Sequence, residues 1–468
     1  MLNINYVCLS DLHLGEEDSL LTDFEDVSRP SPVLQQLAEC LAELLRQNQP
    51  GVKPTLVLAG DVLDLALCAV PQTLATFEQF IRTMMPSGGE LFRDIIYVPG
   101  NHDHHMWQSA REAQYLNYLA GLDAGSTIQP PWDTTKAMPD LAGKDRLVSG
   151  MATAVARRLP HLAKRGFEVL TAYPHFGKRD NNRAVIFHHG HFIEPAYRFF
   201  STLASLFFPE QPPPPDVYTL EKENSAWIDF FWSTMGSCGR IGADVETIYE
   251  ASADEQRLHC LTDTLAHSIA MKYPVPEWAP RALREWVLRA VLNEAAKGMA
   301  KGLERRPAGS DAMLGPEAAQ GLRWYITEMI RRQLEQETGF RPESLTLVFG
   351  HTHKPFVELR DSDRILNTGG WVVDTPEPQP LHGASAVLVS EDLSAVAIRW
   401  YNEGTYAVRV EEPAEAGAKY SPFCEAIANV VAKQAQPWKS FSETTRTEVQ
   451  LRAEKFASRL KTRAAAAA

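Results

Sequence analysis

The chain has 468 residues, which at roughly 150 residues per domain allows up to about three domains. Hydrophobic residues make up 44% and charged residues 22%, a composition that excludes a wholly disordered, collagenous or disulfide-scaffold protein. The 46 Lys and Arg against 59 Asp and Glu leave a net charge of −13. A field of that sign opposes binding along a phosphate polymer, so nucleic acid is disfavoured as a partner.

The sequence carries no signal for secretion or for a membrane span. Residues 1–15 lack the basic segment and the small-residue cleavage site of a signal peptide. The most apolar window, residues 199–208, is roughly half the length that a spanning helix needs. The six cysteines are scattered and form no CxxC pair, which favours a reducing compartment. We therefore expect a cytoplasmic protein without a transmembrane segment.

Short apolar runs that end in polar clusters recur along the chain. Runs of this length bounded by Gly or Pro are typical of buried strands, and the polar cluster then lies on the loop that follows. Functional residues are usually found on such loops. The runs are residues 6–9, 55–59, 95–98, 184–187 and 345–349.

Helical patterns separate the first strands. Ser31 is a predicted N-cap with Pro32 at the first helical position, and leucines follow on one face up to Leu45. A second helix is predicted around residues 74–84. Strands alternating with helices at this spacing indicate an α/β core.

From about residue 195 to residue 341 the pattern changes. Helical and aromatic patterns dominate there, interrupted by four prolines at 212–215, which predicts a helical insertion. The core pattern then resumes, with a strand at 364–367 and a hairpin that pairs 384–390 with 395–401. Beyond residue 411 the sequence predicts a helical tail.

The loops after the predicted strands supply carboxylate, amide and imidazole groups without any thiolate, a donor set that suits Zn, Mn or Fe. Two such ions can share a carboxylate, clamp an in-line phosphoryl displacement and lower the pKa of a bound water. The donors are Asp11, His13, Asp61, Asn101, His102, Asp103, His188, His189, His191, His351 and His353.

The ordered motifs DLH, GDVLD, GNHD, HGH and GHTH resemble those of the calcineurin-like metallophosphoesterase superfamily. The resemblance implies a two-sheet β-sandwich core flanked by helices and an enzyme that hydrolyses phosphoester or pyrophosphate bonds. We assign residues 1–194 and 342–410 to that core. Residues 195–341 are then a helical cap insertion, and residues 411–468 a C-terminal helical tail.

The resemblance also implies a role for each motif residue. His102 contacts the substrate phosphate and assists the leaving group, Asp103 orients its imidazole, and Asp64 supports the ligands from behind. Asp61 bridges two metal ions. The first ion is held by Asp11, His13, Asp61 and His353, and the second by Asp61, Asn101, His189 and His351.

The HHGH motif leaves an alternative open, because either His188 or His189 could face the metal. The family pattern places Gly directly after the ligand, which favours His189. His191 is a candidate for contact with a metal ion or with the substrate phosphate, and ordinary loop positions are expected for His104 and His105.

The motif forms also bear on the substrate. The arginines that protein phosphatases of this superfamily direct at phosphate are missing from GDVLDLA and PGNHD. The tight motif forms look more like the bacterial branch near UDP-2,3-diacylglucosamine diphosphatases, many of which carry Arg where His102 stands, and the cap here is far longer. We therefore expect a small phosphorylated substrate, a nucleotide- or lipid-linked diphosphate. The alternatives are a nuclease of the same superfamily and a scaffold without catalysis.

Charge and hydrophobicity give the expected pocket its character. Two divalent ions carry about +4 and the ligands Asp11 and Asp61 offset about half of it, so an acidic protein would hold a positive pocket. The basic helical pattern over 281–306 is typical of a solvated helix face, with contact to an anionic membrane or substrate as the alternative. The apolar window 199–208 favours core packing within the cap, with contact to lipid or to a greasy substrate group as the alternative.

Overall fold

A computed structural model of the chain describes residues 2–208, 210, 212–237, 313–373, 375–415, 417–432 and 436–467. The basic pattern predicted over 281–306 lies outside the described residues. No helix in the described part of the chain is long and apolar enough to cross a membrane.

Two sheets form the centre of the described structure. The larger sheet has the strand order β12-β11-β10-β1-β2-β3-β4, and the smaller has the order β5-β6-β7-β9-β8. Strands β1 to β4 run parallel to one another, and so do β6, β7 and β9. The strands are β1 (Ile4–Leu9), β2 (Thr55–Leu58), β3 (Ile95–Tyr97), β4 (Val169–Thr171), β5 (His175–Asp180), β6 (Arg183–His188), β7 (Ser344–Phe349), β8 (Phe356–Arg360), β9 (Asp363–Asn367), β10 (Gly383–Ser390), β11 (Ala395–Asn402) and β12 (Arg409–Glu411).

The inner faces of the two sheets pack against each other in one apolar layer. Val57 of β2 and Val387 of β10 contribute from the larger sheet, and Phe187 of β6 and Val348 of β7 from the smaller. Alternate residues of a strand point to opposite faces, so the other half of each strand is available to the helices outside. The two-sheet core flanked by helices is thus confirmed.

The predicted strands and the strands that were not predicted differ in their place in the sheets. Every predicted strand is observed, and all of them lie inside a sheet, flanked on both sides. The four that were not predicted, β4, β5, β8 and β12, are the edge strands. Edge strands are short or carry charge at solvent-facing positions, as in β5, whose last three residues Lys178, Arg179 and Asp180 leave the core.

Helices cover the outer face of the larger sheet. The first of them begins as predicted, with Ser31 Oγ accepting from the Leu34 amide at 3.1 Å and Pro32 at the first position. Its leucines enter the apolar core of this face. The helices of this part are α1 (Pro32–Leu45), α2 (Val70–Met84), α3 (His105–Ala120), α4 (Gly150–Ala156) and α5 (Pro160–Lys164).

The described residues between β6 and β7 are helical and pack on the outer face of the smaller sheet, where Phe192, Leu220, Leu322 and Ile186 share one apolar cluster. Two segments, Ile228–Thr234 and Tyr325–Ile330, are π-helical, a form frequent at functional sites. The α-helices are α6 (Phe199–Phe207), α7 (Val217–Trp227), α8 (Pro316–Trp324) and α9 (Arg331–Thr338).

The predicted C-terminal helical tail is present as α10 (Pro422–Val431) and α11 (Trp438–Ala467). It packs on the core, because Trp438 stacks on Trp400 of β11 with 5.8 Å between ring centroids. Arg452 of α11 is 1% exposed and donates to the carbonyls of Ser19 at 3.0 Å and Thr22 at 2.8 Å.

Replacing Arg452 with Ala should destabilise the docked α11 by about 3 kcal/mol, because it leaves two buried carbonyls without their charged donor. Urea unfolding followed by tryptophan fluorescence measures the change. Lys439→Ala is the matched control, since Lys439 is 65% exposed on the same helix, and should shift stability by less than about 0.5 kcal/mol. Equal effects of the two substitutions would contradict the role given to Arg452.

Candidate metal centre

The predicted ligands follow the carboxyl ends of parallel strands from both sheets. Loops after β1, β2 and β3 carry the first set, and loops after β6 and β7 carry the second. Direct bonds join the two sheets here, because the His351 amide donates to both carboxylate oxygens of Asp11, at 2.9 and 3.0 Å. Ten side-chain ligands and supports therefore meet in one place, at the end of the sandwich, although they are far apart in sequence: Asp11, His13, Asp61, Asp64, Asn101, His102, Asp103, His189, His351 and His353.

Five of these residues have a left-handed backbone, with φ of 51° at Asp11, 45° at His13, 49° at Asp61, 71° at His351 and 56° at His353. This region is unfavourable for side chains other than glycine, Asn and Asp, and each such residue costs on the order of 1 kcal/mol. Each of these loops leaves the carboxyl end of a packed strand, β1, β2 or β7, which fixes where the loop begins. In this backbone conformation the buried donor atoms of the loops point toward one another.

One donor cluster consists of Asp11, His13 and His353, all buried, with one ligand atom of each within 4.8 Å of the others. His353 Nε2 lies 3.5 Å from Asp11 Oδ1. His13 turns its Nδ1 away, to Asp64 Oδ2 at 2.8 Å, which leaves its Nε2 for the cluster. A carboxylate with two imidazoles fits a divalent transition metal ion.

A second cluster consists of Asp61, His189 and His351, also buried and within the same 4.8 Å limit. His189 Nε2 lies 3.2 Å from Asp61 Oδ2, 3.0 Å from Asn101 Oδ1 and 3.2 Å from His351 Nδ1. The other nitrogen of His189 is 3.2 Å from the Ala59 carbonyl, so the ring presents Nε2 to the cluster. The donors around His189 Nε2 thus fit a second ion.

Asp61 lies between the clusters. Its Oδ2 is 3.2 Å from His189 Nε2 and 3.9 Å from His13 Nε2, while its Oδ1 accepts from the His102 amide at 2.8 Å. Burial alone would raise the pKa of Asp61, but the neighbouring imidazoles, His189 first, hold it well below the usual range. Asp61 is therefore an anion placed where two cations could share it.

His102 lies beside the first cluster, with its ring centroid 4.9 Å from that of His13. Its Nδ1 is 3.1 Å from Asp64 Oδ2, the same oxygen that bonds His13. Burial alone would raise the pKa of the Asp64 carboxyl. The imidazoles of His102 and His13 outweigh burial, so the pKa lies below its usual range. One buried carboxylate thus orients a candidate ligand and the candidate proton donor together.

The prediction that Asp103 orients the His102 ring is wrong in this structure. Its carboxylate accepts instead from the backbone amides of Gly100 at 2.6 Å and Val62 at 2.7 Å, and from the Tyr97 hydroxyl at 2.5 Å. A carboxylate buried next to turning backbone satisfies unpaired amides before it reaches a ring. Asp103 therefore ties the loop after β3 to the loop after β2, and Asp64 takes the position behind His102.

The structure separates the histidines of HHGH. His189 enters the second cluster, whereas His188 points to the other side, with its Nε2 3.2 Å from the Tyr325 hydroxyl. His191 is fully buried, with its ring centroid 5.6 Å from that of His189, and neither of its ring nitrogens has a hydrogen-bond partner among the residues that the structure describes. It neighbours the centre but belongs to none of the donor clusters among the described residues.

Two glycines permit the close approach of these loops. A Cβ at Gly350 would overlap the Asp11 carboxylate and the Ser10 hydroxyl, and one at Gly100 would overlap the Asp61 carboxylate and lie 2.8 Å from the His189 ring. The glycines of GHTH and GNHD thus leave room for the carboxylates that the neighbouring strands supply.

The insertion supplies residues that the sequence analysis did not select. Glu194 Oε1 lies 3.2 Å from His351 Nε2, and the Tyr197 ring lies edge-on to the His351 ring with 5.0 Å between centroids. Ser233 Oγ donates to the His102 carbonyl at 3.2 Å and accepts from the His105 amide at 3.1 Å. His104 and His105 both face Asp229 of the insertion, at 3.5 and 3.4 Å. No motif distinguishes these residues in the sequence.

Comparison with known proteins gives one family match. Residues 4–229 match the family model described as calcineurin-like phosphoesterase. This stretch contains every candidate ligand except His351 and His353. No curated protein matches the chain.

Three solved structures with some similarity to this chain are remote from it in sequence. A phosphopantetheinyl hydrolase from Mycobacterium tuberculosis is 14% identical with a TM-score of 0.24, covering 79% of this chain and 90% of its own. A dimetal phosphatase from Danio rerio is 11% identical with a TM-score of 0.31, covering 88% and 100%. A cold-active protein-tyrosine phosphatase from a Shewanella species is 13% identical with a TM-score of 0.26, covering 88% and 81%. Scores this low carry no argument about this chain.

The match over residues 4–229 and the two donor clusters indicate a metal-dependent phosphohydrolase with a dinuclear site for divalent metal ions. The prediction of a metal-dependent phosphohydrolase is thereby confirmed.

Asp61→Asn should remove one or both ions, because an amide is a neutral and weaker ligand than the carboxylate placed between the clusters. Elemental analysis of protein dialysed against a defined Mn²⁺ concentration should give two ions per chain for the wild type and clearly fewer for the variant. Asp229→Asn is a control that changes a carboxylate near the site but outside both clusters. An unchanged metal content in Asp61→Asn would contradict the bridging position.

Proposed function

We propose that this chain hydrolyses a phosphoester or pyrophosphate bond in a small phosphorylated substrate, a nucleotide- or lipid-linked diphosphate. The observation that carries the proposal is the placement of Asp61 between the two donor clusters, with His102 bonded to it through the backbone and to Asp64 through its ring. Metal ligands and a proton donor are thus assembled within one buried site.

We assign Asp11, His13, Asp61 and His353 to one ion, and Asp61, Asn101, His189 and His351 to the other. The donor set suits Mn, Fe or Zn, and manganese is our first choice for assays. When bound, two such ions polarise the phosphoryl group and supply a water of lowered pKa as the nucleophile.

His102 has the geometry of a proton donor. Its Nδ1 faces the buried Asp64 carboxylate at 3.1 Å, so the carboxylate stabilises the protonated ring and leaves Nε2 for the substrate. Protonation of the departing oxygen by Nε2 matters most when that oxygen is strongly basic. In this proposal Asp64 positions the His102 ring. Asp103 holds the loop after β3 against the loop after β2.

His102→Ala should leave two ions bound but slow hydrolysis of alkyl phosphodiesters by about 10²- to 10⁴-fold, since their leaving groups need a proton. Activated p-nitrophenyl esters should lose much less rate, because p-nitrophenolate departs without one. Steady-state kinetics with both ester types in Mn²⁺ measures the difference. If the wild-type protein releases neither phosphate nor p-nitrophenol in Mn²⁺, the proposal that the chain is a phosphohydrolase is wrong. If His102→Ala loses equal rate on both esters, the proposal that His102 donates a proton is wrong.

We further propose that residues 195–341 form a cap that covers the centre and selects the substrate, on a core of residues 1–194 and 342–410. Three contacts support the proposal: Tyr197 against His351, Ser233 on the loop of His102, and Asp229 facing His104. They join the insertion to loops from both sheets, so a substrate must pass beside it.

An aromatic path leads from the surface of the cap to the centre. The path begins at Phe200, which is 39% exposed and whose ring centroid lies 5.7 Å from that of Trp227. The ring centroids of Trp227 and Trp232 are 6.4 Å apart. Those of Trp232 and Tyr197 are 4.7 Å apart. An apolar wall of this kind favours an acyl or other greasy group on the substrate. It supports a substrate like that of the UDP-2,3-diacylglucosamine diphosphatase branch, and also peripheral contact with lipid.

Phe200→Ser should raise KM for UDP-2,3-diacylglucosamine about 3- to 10-fold, because a partly exposed aromatic ring contributes roughly 1 kcal/mol of apolar contact. KM for bis-p-nitrophenyl phosphate, which has no acyl chain, should stay nearly unchanged. Leu116→Ser is the control, since Leu116 is an exposed apolar residue of α3. Equal losses on both substrates would mean that Phe200 only holds the cap together.

The compartment is part of the same proposal. The described cysteines Cys8, Cys40, Cys68 and Cys424 are all unpaired, which favours a reducing environment and a cytoplasmic location. The net charge of −13 makes a nucleic acid substrate the less favoured alternative.

A further inference from the structure

Glu194 is a buried carboxylate at the point where the chain leaves the core for the insertion. It lies between two short 3₁₀ turns, His191–Ile193 and Pro195–Arg198, and is 2% exposed. A carboxylate this deep is unfavourable unless charged or hydrogen-bonding groups compensate it. Its Oε1 lies 3.2 Å from His351 Nε2.

The two nitrogens of His351 face different surroundings. Nδ1 points into the second donor cluster, 3.2 Å from His189 Nε2, whereas Nε2 points to Glu194. An imidazole that binds a metal through one nitrogen carries its proton on the other. A carboxylate at that second nitrogen fixes the tautomer and the ring orientation, and it makes the metal-facing nitrogen a better donor.

The insertion holds Glu194 in place. Trp227 of α7 donates to the Ala196 carbonyl at 2.9 Å. Gly321 of α8 packs so closely on the Ile193 carbonyl that a Cβ there would overlap it. Helices α7 and α8 therefore contact the chain on both sides of Glu194, at Ala196 and at Ile193. The Tyr197 ring lies against His351 itself.

We infer that Glu194 is a positioning residue through which the insertion controls the affinity of the second metal ion: its carboxylate lies 3.2 Å from His351 Nε2 and favours the tautomer and ring orientation that turn Nδ1 toward the His189 cluster. The inference rests on the proposed function, because it takes His351 to be a ligand of that ion. It assigns to the insertion a direct part in building the centre, in addition to selecting the substrate.

The test is a Mn²⁺ titration of metal-free protein, in which electron paramagnetic resonance measures free Mn²⁺. Glu194→Ala should weaken one of the two binding steps by about 10- to 100-fold and leave the other near the wild-type value, as expected when a carboxylate behind a metal-bound imidazole is lost. Glu194→Gln retains an oxygen that accepts a hydrogen bond and should recover part of the affinity.

Glu223→Ala is the matched control. Glu223 is a partly buried carboxylate of α7 whose hydrogen bond goes to Ser201 and not to the centre, so both binding steps should stay at the wild-type value. Circular dichroism confirms the fold of each variant, and if Glu194→Ala does not fold, Glu194→Gln and Glu194→Asp carry the same comparison.

The outcomes separate this inference from the proposed function. Wild-type protein that binds two ions, with a folded Glu194→Ala variant of equal affinity at both steps, overturns the inference and leaves the function standing. Wild-type protein that binds no second ion overturns both. A loss of affinity as large in Glu223→Ala as in Glu194→Ala would assign the effect to general loosening of the insertion and would likewise overturn the inference.

Discussion

The structure depends on keeping the Asp61 carboxylate charged in a site that excludes water. Transferring one carboxylate into such a place costs several kcal/mol unless cations and hydrogen-bond donors surround it. The chain meets this need with imidazoles from both sheets, His13 on one side and His189 on the other, and with the His102 amide. Divalent ions would complete the compensation, so metal binding would offset the cost of burying this carboxylate.

The two sheets and the insertion meet at this centre. The larger sheet contributes Asp11 and Asp61, the smaller sheet contributes His189 and His351, and direct bonds such as that from the His351 amide to Asp11 join them. Five of the ligands have a left-handed backbone, which persists where the surrounding packed structure fixes it, here at the carboxyl ends of β1, β2 and β7. The described part of the insertion packs on these loops, through Tyr197, Ser233 and Asp229.

Sequence reasoning succeeded where local patterns and the family resemblance agree. Interior strands are apolar throughout and were predicted, but edge strands such as β5 mix apolar and charged residues and were not. The motif order and the Gly after His189 led to the residues that form the two clusters. Asp64 supports the ligand His13 as expected, but it also contacts the His102 ring, which was assigned to Asp103. A motif spacing does not show which carboxylate meets a ring nitrogen and which meets backbone amides. No sequence pattern indicated Glu194, because its contact with His351 forms only when the chain folds and the loop after β7 places His351 beside it.

Electron paramagnetic resonance of the wild-type protein loaded with two equivalents of Mn²⁺ tests the central claim most directly, because it reports whether two ions share a ligand. The account predicts an exchange-coupled dimanganese spectrum whose intensity falls as temperature is lowered, in place of the six-line signal of isolated Mn²⁺. A spectrum of two magnetically independent Mn²⁺ ions, or of one ion per chain at saturation, would contradict it.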